Sequence, residues 1–200
     1  MKIYLDHCII DEWLKFKSSG ISLTNYAEDT AQDIFITRDL EAFGKILDIR
    51  SAAFLYSFLI ELESSIHRKQ LFNELISQHN FVKVQAIGLR SCMVDQKLPE
   101  DTTIEIGECQ SYFASHIKKF GKKNIKDRND LMKYMRKKFF DPMHIDSALK
   151  AGADIFLTID YQLLRIINQY SYIRAFLADK ISMFTPSEFM EKVATTHNTG

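Results

Sequence analysis

Four acidic residues carry the chemistry this sequence can do: Asp6, Glu63, Asp141 and Asp160. Asp6 directly follows the apolar run Ile3-Tyr4-Leu5, and Asp160 closes the run Asp154-Ile155-Phe156-Leu157-Thr158-Ile159. Asp141 stands before Pro142, and Glu63 comes six residues after Ser57. Each falls where a strand is expected to end or a helix to begin. In an open α/β sheet, ligands bind outside the carboxyl ends of the strands. Carboxylates gathered there repel one another unless a cation neutralises them, and a hard divalent ion that prefers oxygen ligands, Mg²⁺ or Mn²⁺, does so. Such an ion lowers the pKa of water and offsets the charge that develops on a phosphoryl group. The implied chemistry is hydrolysis of a phosphodiester bond. A lone Asp at a helix start is more often a cap than a ligand, so convergence of the four decides between the two readings.

Positioning these acids requires strands that alternate with helices. Residues 2–5 read as a short buried strand, and residues 9–16 as a loop or short helix with Trp13 as a packing residue. Leu40, Phe43, Ile46 and Leu47 share one helical stripe. Residues 52–56 read as a second strand, with Ser57 as N-cap of a helix carrying Leu59, Leu62 and Ile66. Residues 81–84 alternate like a strand, and helical spacing returns over 102–119. Asp141 followed by Pro142 is a cap-plus-Pro helix start, with a stop expected at Gly152. A strand over 154–158, a helix over 161–170 and a strand over 181–184 follow, and Thr185-Pro186 repeats the helix start. The alternation predicts an α/β fold, a doubly wound parallel sheet flanked by helices. It is expected as a single domain over 1–194 with a tail at 195–200.

The composition is that of a globular domain: 200 residues, 46% hydrophobic, 26% charged, with only 7 Gly and 3 Pro. Twenty-six basic residues balance 26 acidic ones. That excludes strong whole-molecule steering toward phosphates but not a local basic face. The three cysteines form no CxxC pair, which argues against a zinc site or disulfide framework and suits a reducing cytosol. The first apolar run breaks at Asp6, unlike a secretory signal. No stretch approaches the roughly 18 apolar residues of a membrane span. A cytoplasmic protein without membrane contact is expected.

Composition and periodicity alone do not gather the four acids. The opening Met1-Lys2-Ile3-Tyr4-Leu5-Asp6 resembles that of PIN-domain ribonucleases, in which the first acid ends the first strand. The segment from Asp141 through Pro-Met-His-Ile-Asp-Ser-Ala-Leu-Lys-Ala-Gly-Ala-Asp-Ile-Phe-Leu-Thr-Ile to Asp160 looks like their C-terminal motif. There an acid starts a helix, a small-residue turn follows, and a strand ends in Thr-x-Asp. Tyr56-Ser57-Phe58-Leu59-Ile60-Glu61-Leu62-Glu63 is similar to their middle motif. Glu63 is favoured for the acid position. Glu61 is the rival, and two residues on a helix lie about 200° apart, so the two cannot share a face. The resemblance covers about residues 1–11, 52–66 and 139–189, and leaves 81–138 as an inserted helical, basic arm.

The resemblance implies a PIN-like fold and a Mg²⁺- or Mn²⁺-dependent endoribonuclease of the VapC-like toxin type. It implies Asp6, Asp141, Asp160 and Glu63 as catalytic metal ligands, directly or through water, and Thr158 as a group that orients Asp160 or binds phosphate. It also implies RNA as substrate, an antitoxin as partner and a possible homodimer. The alternative is a non-catalytic RNA- or protein-binding module on the same fold. Residues 118–138 hold ten Lys or Arg and two acids. They read as a solvated helix face or as an RNA-binding arm, with Lys122, Lys123 and Arg136 as candidate phosphate contacts. His144 reads as structural, and Asp146 as a partner of Lys150 one turn on. A Rossmann-type nucleotide site would want a Gly-rich turn after the first strand, but the first glycine is Gly20.

Overall fold

The computed structural model describes residues 1–23, 25–26, 34–57, 59–60, 69–88, 102–104, 107–109, 111, 141–169 and 171–197. Its elements begin with β1 (Lys2–Leu5), α1 (His7–Ser19), α2 (Ile34–Leu47), β2 (Ala53–Ser57), α3 (Lys69–Gln78) and β3 (Phe81–Val84). Then come β4 (Ala86–Gly88), β5 (Thr102–Ile104), helix α4 (141–150) and β6 (Ile155–Leu157). Helices α5 (Tyr161–Gln169) and α6 (Ser171–Ala178), strand β7 (Ser182–Phe184) and helix α7 (Pro186–His197) complete the order.

Five strands form one sheet in the order β3-β2-β1-β6-β7, and every pair is parallel. The unbroken apolar runs follow from burial on both faces: Ile3, Tyr4, Leu5, Phe156 and Leu157 are wholly buried. Period-two alternation sends Ile3, Leu5, Phe54, Tyr56, Ile155 and Leu157 to one face, against α1, α2, α3 and Phe189 of α7. Tyr4, Leu55 and Phe156 go to the other, against α4, α5 and α6. Successive strands move outward from the centre in opposite directions, β1 to β2 on one side and β6 to β7 on the other. The switch point, outside which open α/β sheets bind their ligands, is therefore between β1 and β6.

The boundaries follow local chemistry. Gly152, at φ +65°, ends α4 in the left-handed conformation glycine adopts without steric cost. Thr185 and Glu188 form a reciprocal capping box on α7: Thr185 N–H donates to Glu188 Oε2 at 2.9 Å, and Glu188 N–H to Thr185 Oγ1 at 3.3 Å.

Of the loop or short helix expected over residues 9–16, the helix forms, within the 13-residue His7–Ser19. Several other expectations are corrected. Residues 81–84 belong to the main sheet, so the insertion cannot begin at 81. Thr102–Ile104 is a strand paired in parallel with β4, not the start of a helix; its β-branched residues suit that pairing. Asp141 is the first described residue of α4, and the residues directly before it lie outside the described ones. Helix α7 runs through His197, past the expected tail boundary. The basic run 118–138 lies outside the described residues. Among the described residues no helix is long and apolar enough to cross a membrane.

Candidate active site

Asp6 and Asp160 come together because β1 and β6 are parallel neighbours in register, with Leu5 opposite Leu157. The Asp6 N–H donates to Leu157 O at 3.0 Å, extending the ladder by one residue. The chain then turns into α1, and the Asp6 Oδ1 caps it by accepting from His7 N–H at 2.8 Å. On the neighbouring strand, Thr158 N–H donates to Phe184 O at 3.1 Å, which holds Thr158 between β1 and β7.

The Thr158 hydroxyl joins the two acids. It donates to Asp6 Oδ2 at 2.7 Å and accepts from the Asp160 N–H at 2.9 Å. Asp160 Oδ1 accepts from Leu163 N–H at 2.9 Å, an N-cap geometry for α5. Thr158 is fully buried and Asp6 is 6% exposed. The hydroxyl thus holds the Asp6 carboxylate and the Asp160 main chain. The Cys8 thiol donates to Asp6 Oδ2 at 3.1 Å and lies 3.2 Å from Thr158 Oγ1. Burial, and then the Asp6 charge, push this thiol well above its ordinary pKa. It therefore stays protonated at neutral pH as a donor beside the carboxylate. Among the described residues no Lys or Arg pairs with Asp6 or Asp160.

Asp141 is delivered to the same edge by α4. This helix packs Ile145 and Ala148 on Tyr4, Leu55 and Phe156. A buried polar chain fixes its height: the Tyr4 hydroxyl is 2.8 Å from Ser57 Oγ and 2.9 Å from His144 Nδ1. His144 is thus structural, as expected. Asp141, three residues earlier, lies about 4.5 Å nearer the carboxyl edge along the helix axis. Asp6 is two residues past Tyr4, about 6.6 Å toward that edge.

Convergence is incomplete. Among the described residues no group of three His, Cys, Asp or Glu side chains is close enough to hold one ion. The pair Asp6–Asp160 is what this geometry joins, with Asp141 on the same edge. Glu63 and its rival Glu61, and Lys122, Lys123 and Arg136, lie outside the described residues.

The far side of α4 docks the chain that precedes it. Ser147 Oγ donates to Met143 O at 2.7 Å and accepts from Ile87 N–H of β4 at 3.0 Å. Asp146, expected as a partner of Lys150, is buried and accepts from Cys109 N–H at 2.8 Å. Gly107 allows that approach: a Cβ there would sit 2.1 Å from Asp146 Cγ.

One acid beside the site escaped the sequence reading. Asp39, in α2, is 2% exposed and accepts from Ser187 N–H at 2.9 Å, from Ser187 Oγ at 2.6 Å and from the Tyr161 hydroxyl. It ties the starts of α5 and α7 to α2. Its signal was a charge one turn before Phe43 on the buried stripe of an amphipathic helix. Comparison with family models, curated proteins and solved structures finds no match for this chain.

Proposed function

We propose that this chain is a PIN-like, Mg²⁺- or Mn²⁺-dependent endoribonuclease, the toxin of a type II toxin–antitoxin pair. The observation that carries the reading is the Asp6–Thr158–Asp160 bridge at the switch point of a wholly parallel sheet. No described Lys or Arg neutralises the two carboxylates. Leaving charge of one sign unpaired in a mostly buried setting is costly, and a divalent cation removes that cost. The donors fit a hard ion: Asp160 Oδ2 accepts no hydrogen bond among the described residues, and both acids offer oxygen only.

Asp6 and Asp160 would hold the ion, with Asp141 and Glu63 completing the acidic set. When bound, the ion supplies positive charge against the charge developing on the phosphoryl group and acidifies water. The residues supply placement. Thr158 keeps the Asp6 carboxylate pointed and the Asp160 backbone anchored. Protonated Cys8 adds a donor to Asp6 without adding negative charge. The capping bonds from His7 N–H and Leu163 N–H stiffen both carboxylates. Lys122, Lys123 and Arg136 remain candidate phosphate contacts of the basic arm.

The test is cleavage of single-stranded RNA by the purified protein with Mn²⁺. Asp6→Asn and Asp160→Asn should each abolish it, and calorimetry should show Mn²⁺ binding lost in the same variants. Cleavage that persists unchanged in EDTA defeats the metal mechanism. RNA binding without turnover under any divalent ion favours a non-catalytic binding module. The toxin role predicts growth arrest on expression and rescue by a small protein encoded beside it. Light scattering reads whether the protein is a homodimer.

A further inference from the structure

Asp160 stands in a closed circuit of hydrogen bonds and short stretches of chain. Its N–H donates to the Thr158 hydroxyl at 2.9 Å. Thr158 N–H donates to Phe184 O at 3.1 Å, from the end of β6 to β7. Three residues on from Phe184, the Ser187 N–H and hydroxyl donate to Asp39 Oδ1 at 2.9 and 2.6 Å. Asp39 Oδ2 accepts from the hydroxyl of Tyr161, the residue after Asp160.

Asp39 is what closes this circuit. Every other member belongs to the two neighbouring strand-to-helix passages, β6 to α5 and β7 to α7. Asp39 comes from α2, 122 residues before Tyr161 and 148 before Ser187. Its carboxylate is buried, which is costly without donors, and three donors from two helices meet its two oxygens. An apolar side chain at this place on α2 would accept any neighbour of fitting shape. A carboxylate is satisfied only when the Tyr161 and Ser187 donors arrive at hydrogen-bond distance and angle.

The constraint reaches the acids directly. Asp160 caps α5, its Oδ1 accepting from Leu163 N–H at 2.9 Å, so the direction in which α5 leaves β6 sets where this carboxylate lies. The Thr158 hydroxyl that holds the Asp160 N–H also donates to Asp6 Oδ2 at 2.7 Å. A shift at the start of α5 is therefore felt at both carboxylates. Groups that orient a metal ligand without touching the ion commonly govern about 10- to 100-fold of the affinity.

We propose that Asp39 is a positioning residue for the cation site: through Tyr161 and Ser187 it fixes the start of α5, and so the placement of the Asp160 carboxylate relative to Asp6. This deepens the ribonuclease reading and rests on it for Asp6 and Asp160 as cation ligands.

The experiment is calorimetric titration with Mn²⁺ at a temperature where circular dichroism shows each variant folded. Asp39→Ala and Tyr161→Phe should each lose about 10- to 100-fold in Mn²⁺ affinity. The double variant should lose no more than Asp39→Ala alone, because both changes cut one tie. Leu75→Ala, a buried truncation in α3 outside the circuit, lowers stability and should leave the affinity unchanged. Amide exchange without metal gives a second readout. The Asp160 and Leu163 N–H should exchange about 10-fold faster in Tyr161→Phe, with the β1 amides at their former rate. Tyr161→Phe removes one oxygen only, and it keeps the test standing if Asp39→Ala does not fold. The proposal is overturned if Tyr161→Phe binds Mn²⁺ like the unaltered protein, or exchanges those two amides no faster, or if Leu75→Ala loses as much affinity. An unaltered protein that binds no Mn²⁺ ends the cation reading and this proposal with it. Binding lost in Asp6→Asn but kept in Asp39→Ala and Tyr161→Phe overturns the positioning role alone.

Discussion

Thr158→Val is the sharpest perturbation the structure offers, because it deletes one oxygen and almost nothing else. The side chain is fully buried and keeps its branched shape. Two hydrogen bonds vanish together, and the 3.2 Å contact with the Cys8 thiol goes with them. Asp6 Oδ2 loses a 2.7 Å donor, and the Asp160 N–H loses its 2.9 Å acceptor. A hydrogen bond to a charged group contributes about 1.5–3 kcal/mol, and an orphaned buried donor costs about 1–3 kcal/mol. The two share one hydroxyl and do not add fully, so about 3 kcal/mol is expected in total. For a domain of this size each kcal/mol shifts the melting midpoint by about 2–4 °C, so calorimetry should read a fall of about 6–12 °C. The second readout is Mn²⁺ titration. Loss of a group that orients a ligand typically costs about 10- to 100-fold in metal affinity. Thr158→Ser restores the oxygen and removes only a methyl, so it should recover most of both effects. If Thr158→Val melts and binds Mn²⁺ like the unaltered protein, the hydroxyl is not a bridge and the account of the site fails.

Two further predictions concern the rest of the fold. Burial first, and then a neighbouring carboxylate, push the thiols of Cys8 and Cys109 well above the ordinary value of 9.0. For an acid held protonated in the folded state, stability is full below the unfolded pKa and falls as pH rises through the folded one. Unfolding curves should therefore weaken from about pH 9 upward, and Cys8→Ser should flatten that loss. Both thiols should react slowly with iodoacetamide at pH 7.5 until the protein is unfolded. Gly107→Ala drives a Cβ to 2.1 Å from Asp146 Cγ and should cost about 1–3 kcal/mol by urea denaturation. Gly44→Ala, whose Cβ would meet the Trp13 ring at 3.1 Å, is offset by the roughly 1 kcal/mol that Ala gains over Gly within a helix. It should remain near neutral.

What could be read from the residues was whatever is local. The apolar runs 3–5 and 155–157, the Pro142 and Pro186 helix signals and the Gly152 stop are short-range statements about sterics and burial. They yielded the parallel sheet and the positions of Asp6, Thr158 and Asp160. Thr102–Ile104 was misread because a three-residue strand gains its state from pairing with β4, which spacing within the segment cannot report. Residues 171–178 form a helix that was not expected, although Ile173, Phe176 and Leu177 stand at helical spacing.

Tertiary structure decided the partners. A carboxylate has the same formula whether it caps, bridges or meets a cation, and only its neighbours in space separate the cases. The Thr158 bridge spans 152 residues and the Tyr4–His144 contact 140. Asp146 meets Cys109, 37 residues away, and Asp39 became the anchor of Tyr161. Sequence alone determined where strands stop and which acids stand at their ends, because those follow from short-range sterics and the period of the chain. Which of those acids meet was left to the sheet order, which no local pattern encodes.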